Sequence, residues 1–176
     1  MVSNKRLVKR AQKGDNEAFV RLVKEYESVL YGTAYNILKN DEDVADVLQN
    51  TILIAYEKIG TLKEPSYFNT WMCRIMIHEC YSWINQADKH VLQTRESHEY
   101  QNDLAYIEFL DLIQALDEKH QVPLILFYYS RFKIKEISEI LGISEGTVKS
   151  RLSRAKEHLK YHLIEETGGV YRETSH

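Results

Sequence analysis

Residues Ile134 to Lys160, reading IKEISEILGISEGTVKSRLSRAKEHLK, admit few folds. Ile137, Ile140 and Leu141 recur at helical spacing, so the stretch opens with a short amphipathic helix. Gly142 can turn with positive φ, and Ser144 can accept the first free amide of a second helix. On a wheel of about 100° per residue, Val148, Leu152, Ala155 and Leu159 make one stripe that must face a core. The opposite arc carries Gly146, Ser150, Ser153, Arg154 and Glu157, flanked by Lys149 and Lys156 on one side and Arg151 on the other. This is the pattern of a helix-turn-helix. Small polar groups with long cations beside them suit a helix lying in a major groove, where Ser bonds base edges and Arg or Lys reaches guanine or phosphate. Most charged helix faces are merely solvated. Here the turn chemistry and the one-sided charge together point to DNA.

The rest of the chain sets bounds on that reading. Its 176 residues allow one domain or two small ones, and 44% hydrophobic with 28% charged residues is ordinary for a globular protein. Two prolines and seven glycines leave little material for a turn-rich β architecture, so long helices are expected. No apolar run approaches a membrane span, and the start MVSNKRLVKR lacks a hydrophobic signal core, which predicts a cytoplasmic location. A net charge of −3 argues on its face against nucleic acid, but the charge is segregated. From Arg131 to Lys160 eight cations (Arg131, Lys133, Lys135, Lys149, Arg151, Arg154, Lys156, Lys160) face four acids (Glu136, Glu139, Glu145, Glu157). From Glu96 to Glu118 there are seven acids and no Lys or Arg. One end of such a chain approaches phosphate while another repels it or meets a basic partner.

Cys73 and Cys80 lie within one helical pattern without the further ligands a tetrahedral site needs, and the seven His are scattered. Buried, reduced thiols are expected, with no metal and no cofactor.

A polar stretch, residues 87–103, interrupts the helical periodicity and divides the chain into a domain over 1–86, a flexible linker, a domain over 104–165 and a fraying tail, 166–176. The expected fold is all-α: two small helical domains, the C-terminal one the helix-turn-helix. In the first domain Lys5 to Gln12 reads as a short helix, and Asp15 can cap a second one starting near Glu17. A third begins at Asp41 with Asp41, Glu42 and Asp43 in its first turn, where negative charge suits the helix dipole. Val44, Leu48, Thr51, Ala55 and Ile59 mark its buried side; opposite stand Asp46, Gln49, Asn50, Leu53 and Glu57. A small apolar anchor within a polar rim is how a protein-binding face looks. A further helix, about Phe68 to Asn85, is apolar around most of its circumference through Met72, Cys73, Met76, Ile77, Cys80, Trp83 and Ile84. Tyr67, Phe68 and Trp71 beside Asn69 and Arg74 have the chemistry to stack on unpaired bases while cations hold the backbone. For most of these large side chains a core role is expected. In the second domain Ile107, Leu110, Ile113 and Leu116 suggest one helix and Val122 to Tyr129 a buried second.

The motifs DEDVADVLQNTILIAYEKI, FNTWMCRIMIHECYSWI and ISEILGISEGTVKSRLSRAKEHL, in this order and spacing, resemble those of extracytoplasmic-function (group 4) sigma factors of the sigma-70 family. The likeness runs from about Asp15 to Leu163, linker excepted. It implies a promoter-specificity subunit that binds the clamp and flap regions of core RNA polymerase, serves a stress or envelope response, and is held in check by an anti-sigma factor. By resemblance, Asp43, Asp46, Gln49, Asn50, Leu53 and Glu57 dock on core enzyme. Tyr67, Phe68, Asn69, Trp71, Arg74 and His78 hold the minus-10 element as a single strand, and Thr147, Lys149, Ser150, Arg151, Ser153 and Arg154 read the minus-35 element in duplex form. No catalytic residue or small-molecule substrate is implied. Two rivals compete. A stand-alone helix-turn-helix regulator leaves the Asp43 to Glu57 surface and the aromatic helix unexplained. An enzyme finds no Ser/His/Asp elbow, no metal spacing and no GxxxxGK[ST] loop in the sequence.

Overall fold

In a computed structural model the described residues are 4–87, 113 and 116–166, with the side chains of 87 and 162–166 excepted. The linker after Ala87, the helix suggested at Ile107 and Leu110, and the tail lie outside the described residues; Ile113 and Leu116 are buried. Among the described residues all regular structure is helical: α1 (Lys5–Ala11), α2 (Asn16–Leu38), α3 (Asp41–Lys58), α4 (Phe68–Ala87), α5 (Glu118–Leu124), α6 (Ile134–Leu141) and α7 (Glu145–Glu166).

The punctuation follows from side chains. Gly14, at φ 88°, ends α1, and Asp15 accepts the Ala18 amide at 3.0 Å to start α2. Lys39, left-handed at φ 57°, closes α2, and Asn40 takes the Asp43 amide at 3.0 Å to open α3 under its three acids. Helices α2, α3 and α4 pack mutually, with α1 strapped across α2 and the short turn Pro65–Tyr67. Ala18, Phe19, Leu22, Tyr26 and Leu30 of α2 meet Val44, Val47 and Ala55 of α3 and Phe68, Met72, Cys73, Met76 and Cys80 of α4 in the core. Val47, rather than the half-buried Leu48, supplies α3's buried position, since the neighbouring helices cover a wider arc of α3 than one stripe. Fully burying a side chain the size of Leu22 or Met76 is worth about 1.5–3 kcal/mol.

The expected buried helix Val122 to Tyr129 needs correction. Regular winding stops at Leu124, just after Pro123, whose ring lacks the amide a continuing helix needs. A wider, π-wound turn, Ile125–Tyr129, follows; it keeps Ile125 and Leu126 buried and carries Tyr128 and Tyr129 to the surface. Arg131, at φ 60°, then leads the chain into α6.

Candidate nucleic-acid interface

The helix-turn-helix is built as its sequence predicts. Gly142 sits at φ 65° and donates to the Ser138 carbonyl, and the Ser144 hydroxyl takes the Thr147 amide at 3.0 Å. Glu136 reaches back to the Lys133 amide at 2.8 Å, fixing the start of α6. Val148, Leu152, Ala155 and Leu159 are buried, so α7 has a single possible outward face. That face carries Lys149, Ser150, Ser153 and Arg154, all exposed, with the half-buried Thr147 and Arg151 at its margin. None of its cations is in an ion pair among the described residues, so each is available to a phosphate, with the exposed Glu157 on the same arc. Ser150 donates to the Thr147 carbonyl at 2.9 Å and Thr147 shares a hydroxyl contact of 2.8 Å with Ser144. Both hydroxyls are thus already oriented by the helix.

The residues expected to hold a single strand separate into two kinds. Tyr67, 42% exposed, and the exposed Arg74 and His78 are accessible, and Trp71 and Asn69 are half-buried. Phe68 is not accessible: at 2% exposure its ring packs 5.6 Å from Tyr26 and 6.0 Å from Trp71. Its place at the first position of α4, next to the core, makes it a support behind Trp71 rather than a stacking platform. His78 lies 3.4 Å from Glu79.

On α3 the polar arc is intact. Asp46, Gln49, Asn50 and Glu57 are exposed around Leu53, which is 57% exposed, and Asp43 is half-buried at its N-terminal end. The carboxylates of Asp43, Asp46 and Glu57 have no cationic partner among the described residues. Tyr56, overlooked in the sequence, widens the apolar centre: it lies three residues beyond Leu53, is 48% exposed, and is held by its hydroxyl donating to Asn16 Oδ1 at 3.0 Å. The helical spacing alone was a sufficient signal.

The two modules touch. Thr33 Oγ1 lies 2.8 Å from Ser130 Oγ in a buried contact, and Tyr129 lies so close to Gly32 that no β-carbon fits there. Arg74 donates to the Glu139 carbonyl, and α4 packs along α6. Burial raises the Tyr81 hydroxyl to about 12, with Glu118 adding to the shift and Arg151 opposing it. Among the described residues no group of His, Cys, Asp and Glu could hold a metal ion.

Two family models match the chain: "Sigma-70 region 2" over residues 22–90 and "Sigma-70, region 4" over 106–159. The chain is similar to the ECF RNA polymerase sigma factor SigW of Bacillus subtilis, 28% identical over 179 residues, covering 90% of this chain and 96% of that protein. It is also similar to the RNA polymerase sigma factor SigV of the same organism, 26% identical over 152 residues, covering 84% and 92%. Among solved structures, CnrH in complex with the cytosolic domain of CnrY matches at a TM-score of 0.74 and 21% identity, over 93% of this chain and 99% of that one. The sigma factor RpoE of Bartonella quintana, in complex with the anti-sigma factor NepR, matches at 0.69 and 24%, over 81% and 96%. These two likenesses establish the shared all-helical fold.

Proposed function

From the premise that this chain belongs to the sigma-70 family, in its extracytoplasmic-function group, we propose that it binds core RNA polymerase and directs promoter-specific initiation, with minus-35 duplex and minus-10 single strand as its two DNA targets. The observation that carries the reading is a coincidence within one chain. An outward helix-turn-helix face with Lys149, Arg151 and Arg154 occurs together with an acidic, Leu53-centred arc on α3. A stand-alone regulator uses only the first. The α3 arc, lacking internal cations, suits a basic partner surface.

In this scheme residues 104–165 grip duplex DNA, with Thr147, Lys149, Ser150, Arg151, Ser153 and Arg154 supplying phosphate and base-edge contacts. Residues 1–86 dock on core through Asp43, Asp46, Gln49, Asn50, Leu53 and Glu57, and take the separated strand on Tyr67, Asn69, Trp71, Arg74 and His78, with Phe68 behind them. Unstacking bases costs a few kcal/mol, which stacking and pocket contacts must offset. Catalysis belongs to the polymerase; this chain positions it. Work on polymerase sets it in the cytoplasm, and no described helix is long and apolar enough to cross a membrane. RpoE of Bartonella quintana is in complex with the anti-sigma factor NepR, which supports an antagonist protein for this chain too; a membrane-bound antagonist would hold it at the membrane.

Transcription in vitro with purified core polymerase and a promoter library tests the reading. Promoter-specific transcripts that require this chain are expected. Tight binding to an operator without core, with no transcripts redirected, overturns it in favour of the stand-alone regulator.

A further inference from the structure

Five cations, Lys5, Arg6, Lys9, Arg10 and Lys13, line one shallow groove on and just beyond α1. At about 100° per residue they fall within an arc of about 140°, away from the side on which Val8 and Ala11 enter the core. Two of them are engaged. Lys5 lies 3.6 Å from Glu64, and Arg10 holds Asp15 by Nη2 at 2.6 Å and Nε at 2.8 Å. Arg6, Lys9 and Lys13 are exposed and have no acidic partner among the described residues. Lys5 with Lys9, Arg6 with Arg10, and Lys9 with Lys13 are like charges one helical turn apart, an arrangement that weakens a helix. Lys5 and Arg10 serve the fold through their ion pairs, and Lys9 suits the C-terminal end of the helix dipole; the exposed, unpaired Arg6 and Lys13 beside them complete a patch that suits a polyanionic ligand.

The groove is also aimed. Gln12 Nε2 donates to both the Ile59 carbonyl at 3.1 Å and the Leu62 carbonyl at 2.7 Å, fastening the end of α1 to the turn that leads into α4. The helix packs on Pro65–Tyr67 and Lys5 reaches Glu64, so one end of the groove meets the turn that carries Tyr67, just ahead of Asn69 and Trp71 on α4. An exposed tyrosine and a half-buried tryptophan next to a cationic groove are the layout of a single-strand track. The apolar residues of α1 are buried or half-buried, which leaves no apolar face to enter a lipid surface. The segment lies ahead of residues 22–90, the part matched by the region 2 model.

We propose that Arg6, Lys9 and Lys13 hold the phosphodiester backbone of promoter DNA where the separated strand leaves the aromatic residues at the start of α4. This rests on the reading of residues 1–86 as the minus-10 module.

The test uses holoenzyme, assembled from core polymerase and full chain, on two forks built from a promoter the library identifies. One fork extends the single strand beyond the minus-10 element; the other is truncated at that element. For Arg6→Gln/Lys9→Gln/Lys13→Gln, loss of three phosphate contacts, each worth about 0.7 in the salt slope on single strands, makes the plot of log K against log salt shallower by about 2. That corresponds to roughly hundredfold weaker binding of the extended fork at 0.1 M salt, with the truncated fork and core affinity unchanged. Arg6→Glu/Lys9→Glu/Lys13→Glu weakens the extended fork further, while Glu, a good helix former, keeps α1 folded. An unchanged slope on the extended fork overturns the proposal. So does equal weakening of both forks, or loss of core affinity in the Gln variant, which would make the groove's partner a protein. If unmodified holoenzyme starts no promoter-specific RNA, the sigma reading fails as well; if it does and the variants behave like it, this proposal alone fails.

Discussion

Arg154 sits at the centre of the outward face of α7, exposed and free of any ion pair among the described residues, where a guanidinium can reach a base edge bidentately. Arg154→Ala is expected to remove about 1–3 kcal/mol of discrimination at one base of the minus-35 element, or roughly 5- to 150-fold. Promoter selection from the library measures it, and an unchanged preference removes Arg154 from base readout. On α3, Asp46→Arg puts a cation into a surface whose acids are uncompensated, so affinity for core should fall while the melting temperature holds. Equal affinity would move the docking face elsewhere. The two thiols behave oppositely to a redox pair. Both are buried and free, and burial pushes Cys80 up from 9.0 to about 12, with Glu79 adding to the effect, and Cys73 higher still. Neither should react with a thiol reagent at neutral pH until the chain unfolds, since the thiolate is the nucleophile. A thiol whose pKa rises on folding contributes stability that is present below the unfolded value near 9 and lost as pH climbs toward 12. Denaturation followed across that range should show a decline that Cys80→Ala makes shallower.

At the scale of elements, the turn between α6 and α7 depends on two residues. Ser144 bonds both the amide and the hydroxyl of Thr147, so Ser144→Ala should cost about 1 kcal/mol and fray the helix proposed to carry the minus-35 contacts. Amide exchange at Gly146 to Val148, measured beside minus-35 affinity, checks it; unaltered protection there would show that packing of Val148 alone holds the turn. These features were readable in advance because they are local. A cap, a left-handed glycine and an apolar stripe act within a few residues of one another. Asp15, Asn40 and the three acids that open α3 were of the same kind. Pro123 signalled the break after Leu124, but the π-wound turn over Ile125–Tyr129 was not readable, because which of its side chains are covered depends on neighbours distant in sequence. Phe68 illustrates the same limit within the site. Its neighbour Tyr67 offers the same kind of ring for stacking, yet packing against Tyr26 and Trp71 takes the Phe68 ring out of reach.

For the whole molecule, the decisive feature is the closed contact between modules. Thr33 and Ser130 share a buried bond of 2.8 Å, Tyr129 occupies the space that Gly32 leaves, and Arg74 reaches Glu139. Elements centred near minus-35 and minus-10 lie about 25 base pairs apart, or about 85 Å at 3.4 Å per pair. A chain that spans them cannot keep that contact, so the modules must part when both elements are engaged. Dyes at Lys24 and Lys160, both exposed and on different modules, are expected to move apart when holoenzyme binds a promoter. An unchanged distance would mean that the closed form itself engages DNA. Beside the packing of α4 along α6, the contact includes one hydroxyl pair, one aromatic ring on a glycine and one guanidinium on a carbonyl, each polar contact worth on the order of 1 kcal/mol. Binding to core and DNA must supply the free energy that parts these surfaces.

The sequence by itself determined the helices, their caps, the turn of the helix-turn-helix and the two polar faces, because each is written in residues close along the chain whose spacing matches one helical period. Tertiary structure alone decided which aromatics remain available, where the cations of α1 point, and that the two modules close on each other. Those outcomes depend on contacts between residues as far apart as Gln12 and Leu62 or Thr33 and Ser130. No local pattern records them, since the free energy of such contacts exists only once distant surfaces meet.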